Sequence, residues 1–319
     1  MIDVIIFIVS AGPNVLKENL IETVHSLSKN IGDINYKYYI VTDSREQEKF
    51  TNEVIFAHPR LKDVIKPDAL LEVVYSTKSW AIEYNAFFKK YGDTTKYILY
   101  SHDDLVMYTP DFFSKTLEKL KDKEQPIGWI TYTNNFYYKH LQKPIANSCK
   151  DPFALDRHKA PCLYECHSFN MGETVTPEKA KLLNYPTRPV NIHSPFPHLC
   201  LVSAAAMKKI GPCAEWTEYT ILIDNDWGLE ALRQNLFNVW IPDIIYTHPN
   251  PKYNQMRKPG TDLRFEGIAH QKFYEKWGFY LPRGQQLSDE AIEFVREKYK
   301  DTNIPLTSFK NTYDWDYLQ

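Results

Sequence analysis

The sequence predicts an α/β protein with a mostly parallel central sheet flanked by helices. Three observations carry that expectation. Apolar, β-branched runs alternate with stretches of helical periodicity over the first 120 residues. The runs are continuous, as in buried strands. Polar clusters stand where three of the strands run out, at Ser10–Asn14, at Asp43-Ser44 and at His102–Asp104. Ligands bind such sheets beyond the carboxyl ends of the strands.

The elements follow in order. Val4–Val9 reads as a strand leaving into the turn Ser10-Ala11-Gly12-Pro13-Asn14. Val15, Leu16, Leu20, Val24 and Leu27 then recur at helical spacing, with Asn14 as N-cap. "YKYYIVTDS" is a second strand ending at Asp43-Ser44, and Val54–Ala57 and Leu70–Tyr75 are short further strands. "STKSWAIEYNAFFKKYG" is helical, Tyr97–Tyr100 is a buried strand, and a helix starts at Thr109 or Pro110. Residues 131–198 are irregular and rich in Pro, Asn, His and Tyr, which marks binding loops, lids or poorly ordered segments. Order returns with "LCLVSAAAMKKIG", a strand and a short helix stopped by Gly211-Pro212. "DNDWGLEALRQNLF" is a helix and "VWIPDIIYTHPNP" a strand pair. The tail is polar, then amphipathic in "SDEAIEFVREKYK". The expected partition is one domain over residues 1–250, in two halves (1–125 and 126–250). Residues 251–319 form a helical extension packed on it.

Composition narrows the function. The 319 residues, 43% hydrophobic and 24% charged, suffice for a sizeable core. A formal net charge of −2 gives no broad basic field, so nucleic acid is not an expected partner. The 22 Tyr suit sugar- or base-stacking surfaces and equally suit cores. Five Cys at irregular spacing form no disulfide framework, and Cys162-x3-Cys166-His167 with His158 is at most half a zinc site. Thiols in a reducing compartment are expected. Val4–Val9 is too short to span a bilayer, and no later stretch approaches about 20 apolar residues. The expectation is a soluble, cytoplasmic protein with its oligomeric state open.

Three clusters carry chemistry. On an extended segment His102 and Asp104 point one way and Asp103 the other, so two side chains could grip one divalent ion with a ribose nearby. An imidazole beside a carboxylate shifts the preference from Mg²⁺ toward Mn²⁺. Asp224 and Asp226 open a helix, either as capping residues or as a general base for an attacking hydroxyl. His248 closes the last strand.

The order of these features resembles the nucleotide-sugar-dependent glycosyltransferases of the GT-A fold, in particular the family-2 type. The stretches that carry it are "DVIIFIVSAGPN", "YYIVTDS", "AIEYNAFF", "YILYSHDDL", "IGPCAEW", "IDNDWGLEAL" and "IIYTHP", spread over residues 3–250. The resemblance implies a Rossmann-like sheet with long acceptor-side loops. It implies that Ser10, Ala11, Gly12 and Asp43 cradle the nucleoside, with Asn85 in the donor pocket and Asp103 toward the ribose. It places His102 and Asp104 at the two ends of a metal-binding Asp-x-Asp motif, with His248 as a further ligand for Mn²⁺ or Mg²⁺. It makes Asp224 the general base of an inverting transfer, with Asp226 its rival. The donor it favours is a UDP-sugar and the acceptor a glycan or other hydroxyl. Tyr132, Tyr137, Tyr138 and Trp216 are candidates to stack on sugars.

The chain departs from the pattern at His102, which replaces an Asp, and at Ile223, which stands where Glu is common. No "QxxRW" follows, which disfavours a processive synthase. Two other readings compete. A nucleotidyltransferase would need a glycine-rich basic loop, and "SAGPN" has one Gly and no basic residue before Lys17. A non-catalytic carbohydrate- or nucleotide-binding protein on a degenerate version of the fold is the other.

Overall fold

The computed structural model describes residues 1–10, 17–43, 45, 48–49, 58–66, 68–134, 189–192, 195, 198–215, 223–247, 272–273 and 275–277. In chain order the elements are β1 (Ile2–Ser10), α1 (Lys17–Asn30), β2 (Tyr36–Thr42), β3 (Leu70–Tyr75), α2 (Trp80–Tyr91) and β4 (Thr95–His102). Then come β5 (Val106–Met107), α3 (Phe112–Leu120), β6 (Ile127–Asn134), β7 (Val190–Ile192), β8 (Leu199–Ser203), α4 (Ala204–Ile210), α5 (Ile223–Arg233) and β9 (Phe237–Thr247).

Among the described residues the strands form one sheet in the order β3-β2-β1-β4-β8-β6-β9-β5, with β7 also paired to β9. The pairs β3/β2, β2/β1 and β1/β4 are parallel. β8 runs against both β4 and β6, and β6 is parallel to β9. Six strands (β3, β2, β1, β4, β6, β9) therefore share one direction, and only β5, β7 and β8 oppose them. The expected mostly parallel sheet is present, with an antiparallel strand set into its middle.

Both faces are covered, which explains the continuous apolar runs. Val4, Ile6 and Ile8 of β1 join Leu20, Val24 and Leu27 of α1 and Phe112 and Phe113 of α3 in one core layer. Ile5 and Phe7 point the other way. They meet Ala81, Tyr84 and Phe87 of α2, Met207 of α4 and Trp227 of α5. Helix α5 sits close on the sheet because residue 128 is glycine. A Cβ there would lie 2.9 Å from Asn238 Oδ1 and 3.0 Å from Ala231 Cβ. The buried Asn238 stitches this contact: it accepts from the Trp129 N–H at 3.1 Å and donates to the Gly228 carbonyl at 2.9 Å.

Several elements differ from expectation. Residues 127–134 form a strand, although 131–134 had read as the start of an irregular region. The expected strand pair over 239–247 is one strand, β9, whose partner on β6 slips between Tyr132 and Thr133. At that irregularity the Ile245 N–H donates to Thr109 Oγ1 at 2.8 Å. Thr109 is thereby tied to β9, and helix α3 begins later, at Phe112. Val54–Ala57 and Asn14 lie outside the described residues.

Candidate active site

Because six strands share a direction, their carboxyl ends gather on one edge. Ser10 ends β1 opposite Thr42 of β2, and Asp43 follows Thr42. His102 ends β4 in register with Val9. The antiparallel β8 begins at the same edge, so His198 precedes it there. The His102 N–H donates to the His198 carbonyl at 2.9 Å. Asp43, His102, Asp103, Asp104 and His198 are thus brought together by strand direction alone.

Ser10 and Asp103 form the fixed centre of this edge. The Ser10 hydroxyl donates to Asp103 Oδ2 at 2.6 Å, and both residues are buried. Burial pushes the Asp103 carboxyl well above the usual range, and the charges of Asp104 and, more weakly, Asp43 push it the same way. The Ser10 hydroxyl and a backbone N–H pull it back. Asp103 therefore points inward to β1. Alternation was expected to orient Asp104 with His102, but β4 ends at His102 and the chain bends through 103–104, so a strand period no longer sets the direction of Asp104.

His102 takes the opposite face from Asp103, the face that α5 covers. Its ring centroid lies 5.8 Å from Tyr100 and 4.9 Å from His198. Two half-buried imidazoles therefore stand side by side at the mouth of β4 and β8. Sequence reasoning missed His198. The signal was present, a His just before the apolar "LCLVS", but only the antiparallel insertion of β8 beside β4 gives it meaning.

Asp224 lies in the first turn of α5 on that same face. It is buried, and desolvation lifts its carboxyl to about 7, against an ordinary value of 3.8. Its own N–H and that of Asn225 lower it. Its charge reaches Tyr100 and Cys200, which pair across β4 and β8, and pushes both their ionisations up. Asp224 thus lies within electrostatic reach of the Tyr100–Cys200 pair, two residues before the His102 end of β4.

Asp226 is placed differently. Its Oδ1 takes the Lys276 ammonium at 2.6 Å and the Trp277 indole N–H at 2.8 Å, and its side chain has no exposed surface. Burial raises this carboxyl, while Lys276 and Trp277 pull it down. A carboxylate committed to a cation and an indole of the same chain is a structural anchor.

Two further expectations change. Asn85 was assigned to the donor pocket. Its amide instead donates to the Cys213 carbonyl at 3.0 Å and to Glu215 at 2.7 Å, while its oxygen accepts from the Cys213 N–H at 2.7 Å. Both ends of the amide are spent on fastening the segment that leaves α4. Tyr132, a candidate sugar stacker, is fully buried, with its hydroxyl 3.2 Å from Thr116 Oγ1. It is a core residue because β6 is an interior strand of the sheet. Ala11, Gly12, His248, Tyr137, Tyr138, Trp216 and the Cys162–His167 cluster lie outside the described residues. Cys200 and Cys213 are buried thiols whose ionisation burial suppresses.

Among the described residues no group of three or more His, Cys, Asp or Glu side chains converges on a metal position. Nor is any described helix long and apolar enough to cross a membrane.

No protein-family profile and no curated protein matches this sequence. Solved structures do match in shape. Residues 1–349 of TarS from S. aureus, solved with UDP-GlcNAc, superpose with a TM-score of 0.52 at 10% identity, covering 96% of this chain and 77% of that one. The mannosyltransferase PcManGT from Pyrobaculum calidifontis, solved with GDP-Man and Mn²⁺, gives 0.51 at 10% identity, covering 98% and 76%. At such identity the likeness is one of fold, and it extends over almost the whole chain. The protein carries the GT-A type of mixed α/β fold.

Proposed function

We propose that this protein is a glycosyltransferase that moves a sugar from a nucleotide-sugar donor, preferentially a UDP-sugar, to a hydroxyl acceptor such as a glycan. The reaction on this reading inverts the sugar, with Asp224 as general base. The observation that carries it is Asp224 itself. A carboxyl held at about 7 by burial, within electrostatic reach of Tyr100 and Cys200 near the end of β4, is an acid–base group poised near neutrality. The shared fold with a UDP-GlcNAc complex and a GDP-Man complex supports the donor class.

The residues fit a divalent cation in chemistry. Asp104 offers a hard oxygen and His102 a nitrogen, a set suited to Mn²⁺. Diphosphate oxygens, and His248 as the sequence suggests, would fill further positions. Bound there, the ion would neutralise negative charge developing on the departing diphosphate.

The chain's own residues supply the rest. The Ser10–Asp103 pair holds the ends of β1 and β4 in place, and Asp43, at the end of β2, faces the nucleoside. Asp224 takes the proton of the acceptor hydroxyl as that oxygen bonds the anomeric carbon. The bond from that carbon to the diphosphate breaks on the opposite face, and the nucleoside diphosphate leaves with the electron pair. On this reading residues 1–250 form the transferase unit.

The test is turnover of UDP-GlcNAc, UDP-Gal, UDP-Glc and GDP-Man, with Mn²⁺ and with chelator. Metal-dependent release of the nucleoside diphosphate supports the reading. No turnover of any of them, together with no calorimetric binding of UDP or GDP, sinks it and leaves a non-catalytic protein.

A further inference from the structure

Helix α5 carries more buried negative charge than catalysis requires. Asp226 and Glu230 are 0% and 4% exposed and stand one turn apart on the helix. Two buried carboxylates at that spacing repel and need a counter-charge. Arg233 approaches Glu230 at 2.5 Å, from the exposed side. The other counter-charge comes from the far end of the chain. Lys276 Nζ lies 2.6 Å from Asp226 Oδ1 and 2.8 Å from Glu230 Oε1, so one ammonium bridges both acids.

The same segment brings apolar anchors. Phe273 and Trp277 are 0% and 1% exposed, and the Trp277 indole N–H donates to the Asp226 oxygen that Lys276 already holds. A segment that merely covered the surface would need no bond to the interior of a helix. This one closes on the first turn of α5, two residues from Asp224.

Residues two apart on a helix project about 200° apart. Asp226 can therefore be gripped from one side while Asp224 projects to the other, within electrostatic reach of Tyr100 and Cys200. Fixing Asp226 fixes the rotation and height of the turn, and with them the position of the Asp224 carboxyl against Tyr100 and Cys200.

We propose that Lys276 and Trp277 are positioning residues for Asp224. The clamp they form makes the segment 272–277 a required part of the acid–base machinery, although it never touches substrate. This rests on the transferase reading above, and the test has one arm that does not depend on it.

The variants are Lys276→Met, Lys276→Arg and Trp277→Phe in the full chain. Lys276→Met combined with Asp226→Asn serves as a control that leaves Asp226 no buried charge to strand, should the single variant misfold. Hydrogen exchange of amides 223–230 is measured against those of β1 and β4. Alongside it come calorimetric binding of UDP with Mn²⁺, and kcat with whichever of UDP-GlcNAc and GDP-Man the parent turns over. Lys276→Met and Trp277→Phe are expected to speed exchange in 223–230 at least tenfold and leave that in β1 and β4 unchanged. UDP affinity should stay within twofold while kcat falls at least tenfold. Lys276→Arg should restore exchange and kcat to within about threefold, since a guanidinium can still bridge two carboxylates. Unchanged exchange in 223–230 overturns the clamp whatever happens to turnover. Raised exchange with kcat unchanged overturns the positioning role. A parent that turns over neither donor refutes transfer from those donors, and the exchange arm alone then decides the clamp.

Discussion

Asp224→Asn should make the protein more stable while it abolishes its chemistry. The substitution keeps the shape of the side chain and removes its charge. In the folded chain the Asp224 carboxyl titrates at about 7, against an ordinary value of 3.8, and the leading cause is burial. Between those values the folded state holds a proton that the unfolded chain has released. Stability contributed by this group therefore falls as pH rises through that window, and the full penalty is in place above pH 7. A gap of about three units at 1.36 kcal/mol each makes that penalty about 4 kcal/mol. Asn titrates in neither state and escapes it. The variant should gain up to about 4 kcal/mol at pH 8, about 2 kcal/mol at pH 5 and under about 1 kcal/mol at pH 4. The assay is urea denaturation of parent and variant at the three pH values, with sugar transfer measured at pH 8. Transfer should fall by about 10²–10⁴, the usual worth of a positioned base. A stability difference that does not change between pH 4 and pH 8 would refute the burial argument. Transfer within threefold of the parent would refute the base.

The remaining predictions concern neighbouring residues. In the parent, transfer should rise with pH through about 7 and level off above it, since only the ionised Asp224 can accept a proton; a flat profile between pH 5 and pH 8 would move the role elsewhere. Asp104→Ala should remove the Mn²⁺ dependence of UDP binding, measured by calorimetry; affinity that is unaltered and still Mn²⁺-dependent would count against Asp104 as a ligand. Asn85→Ala should cost about 1–3 kcal/mol in urea denaturation because it strands the Cys213 backbone groups. The same variant should bind UDP within twofold of the parent, whereas a tenfold loss of affinity with unchanged stability would restore Asn85 to the donor pocket.

Much of the parallel half was legible because its signals are local. A continuous apolar run such as Val4–Val9 says buried strand, and a polar cluster after it says sheet edge. The antiparallel half was harder to read. β8 gains its place between β4 and β6 through pairings with residues about 100 and 70 positions away, at Tyr100↔Cys200 and Thr131↔Cys200. No local pattern announces such a register. His198 was missed for that reason, as was the strand at 127–134, whose Gly128 is the seat of α5. Asn85 misled for a related reason. The resemblance implied a donor-pocket role, but the amide bonds a backbone 128 residues later, which no local pattern announces.

The two acids of α5 show where sequence order stops and packing begins. Asp224 and Asp226 carry the same functional group, two residues apart, in the same turn, and only the family resemblance of "IDNDWGLEAL" ranks one above the other. What separates them is the company each keeps. Asp226 is held by a cation and an indole from 50 and 51 residues away, so its charge is already balanced. Asp224 is buried, its leading influence is desolvation, and its own backbone N–H and that of Asn225 support its charge. A balanced carboxylate is a poor base, because its partners must be broken before it can take a proton. A desolvated one is a better base, because protonation relieves the cost of burial. It is thus the counter-charge, present at Asp226, and not burial, which both acids share, that favours Asp224 as the base on the proposed reading.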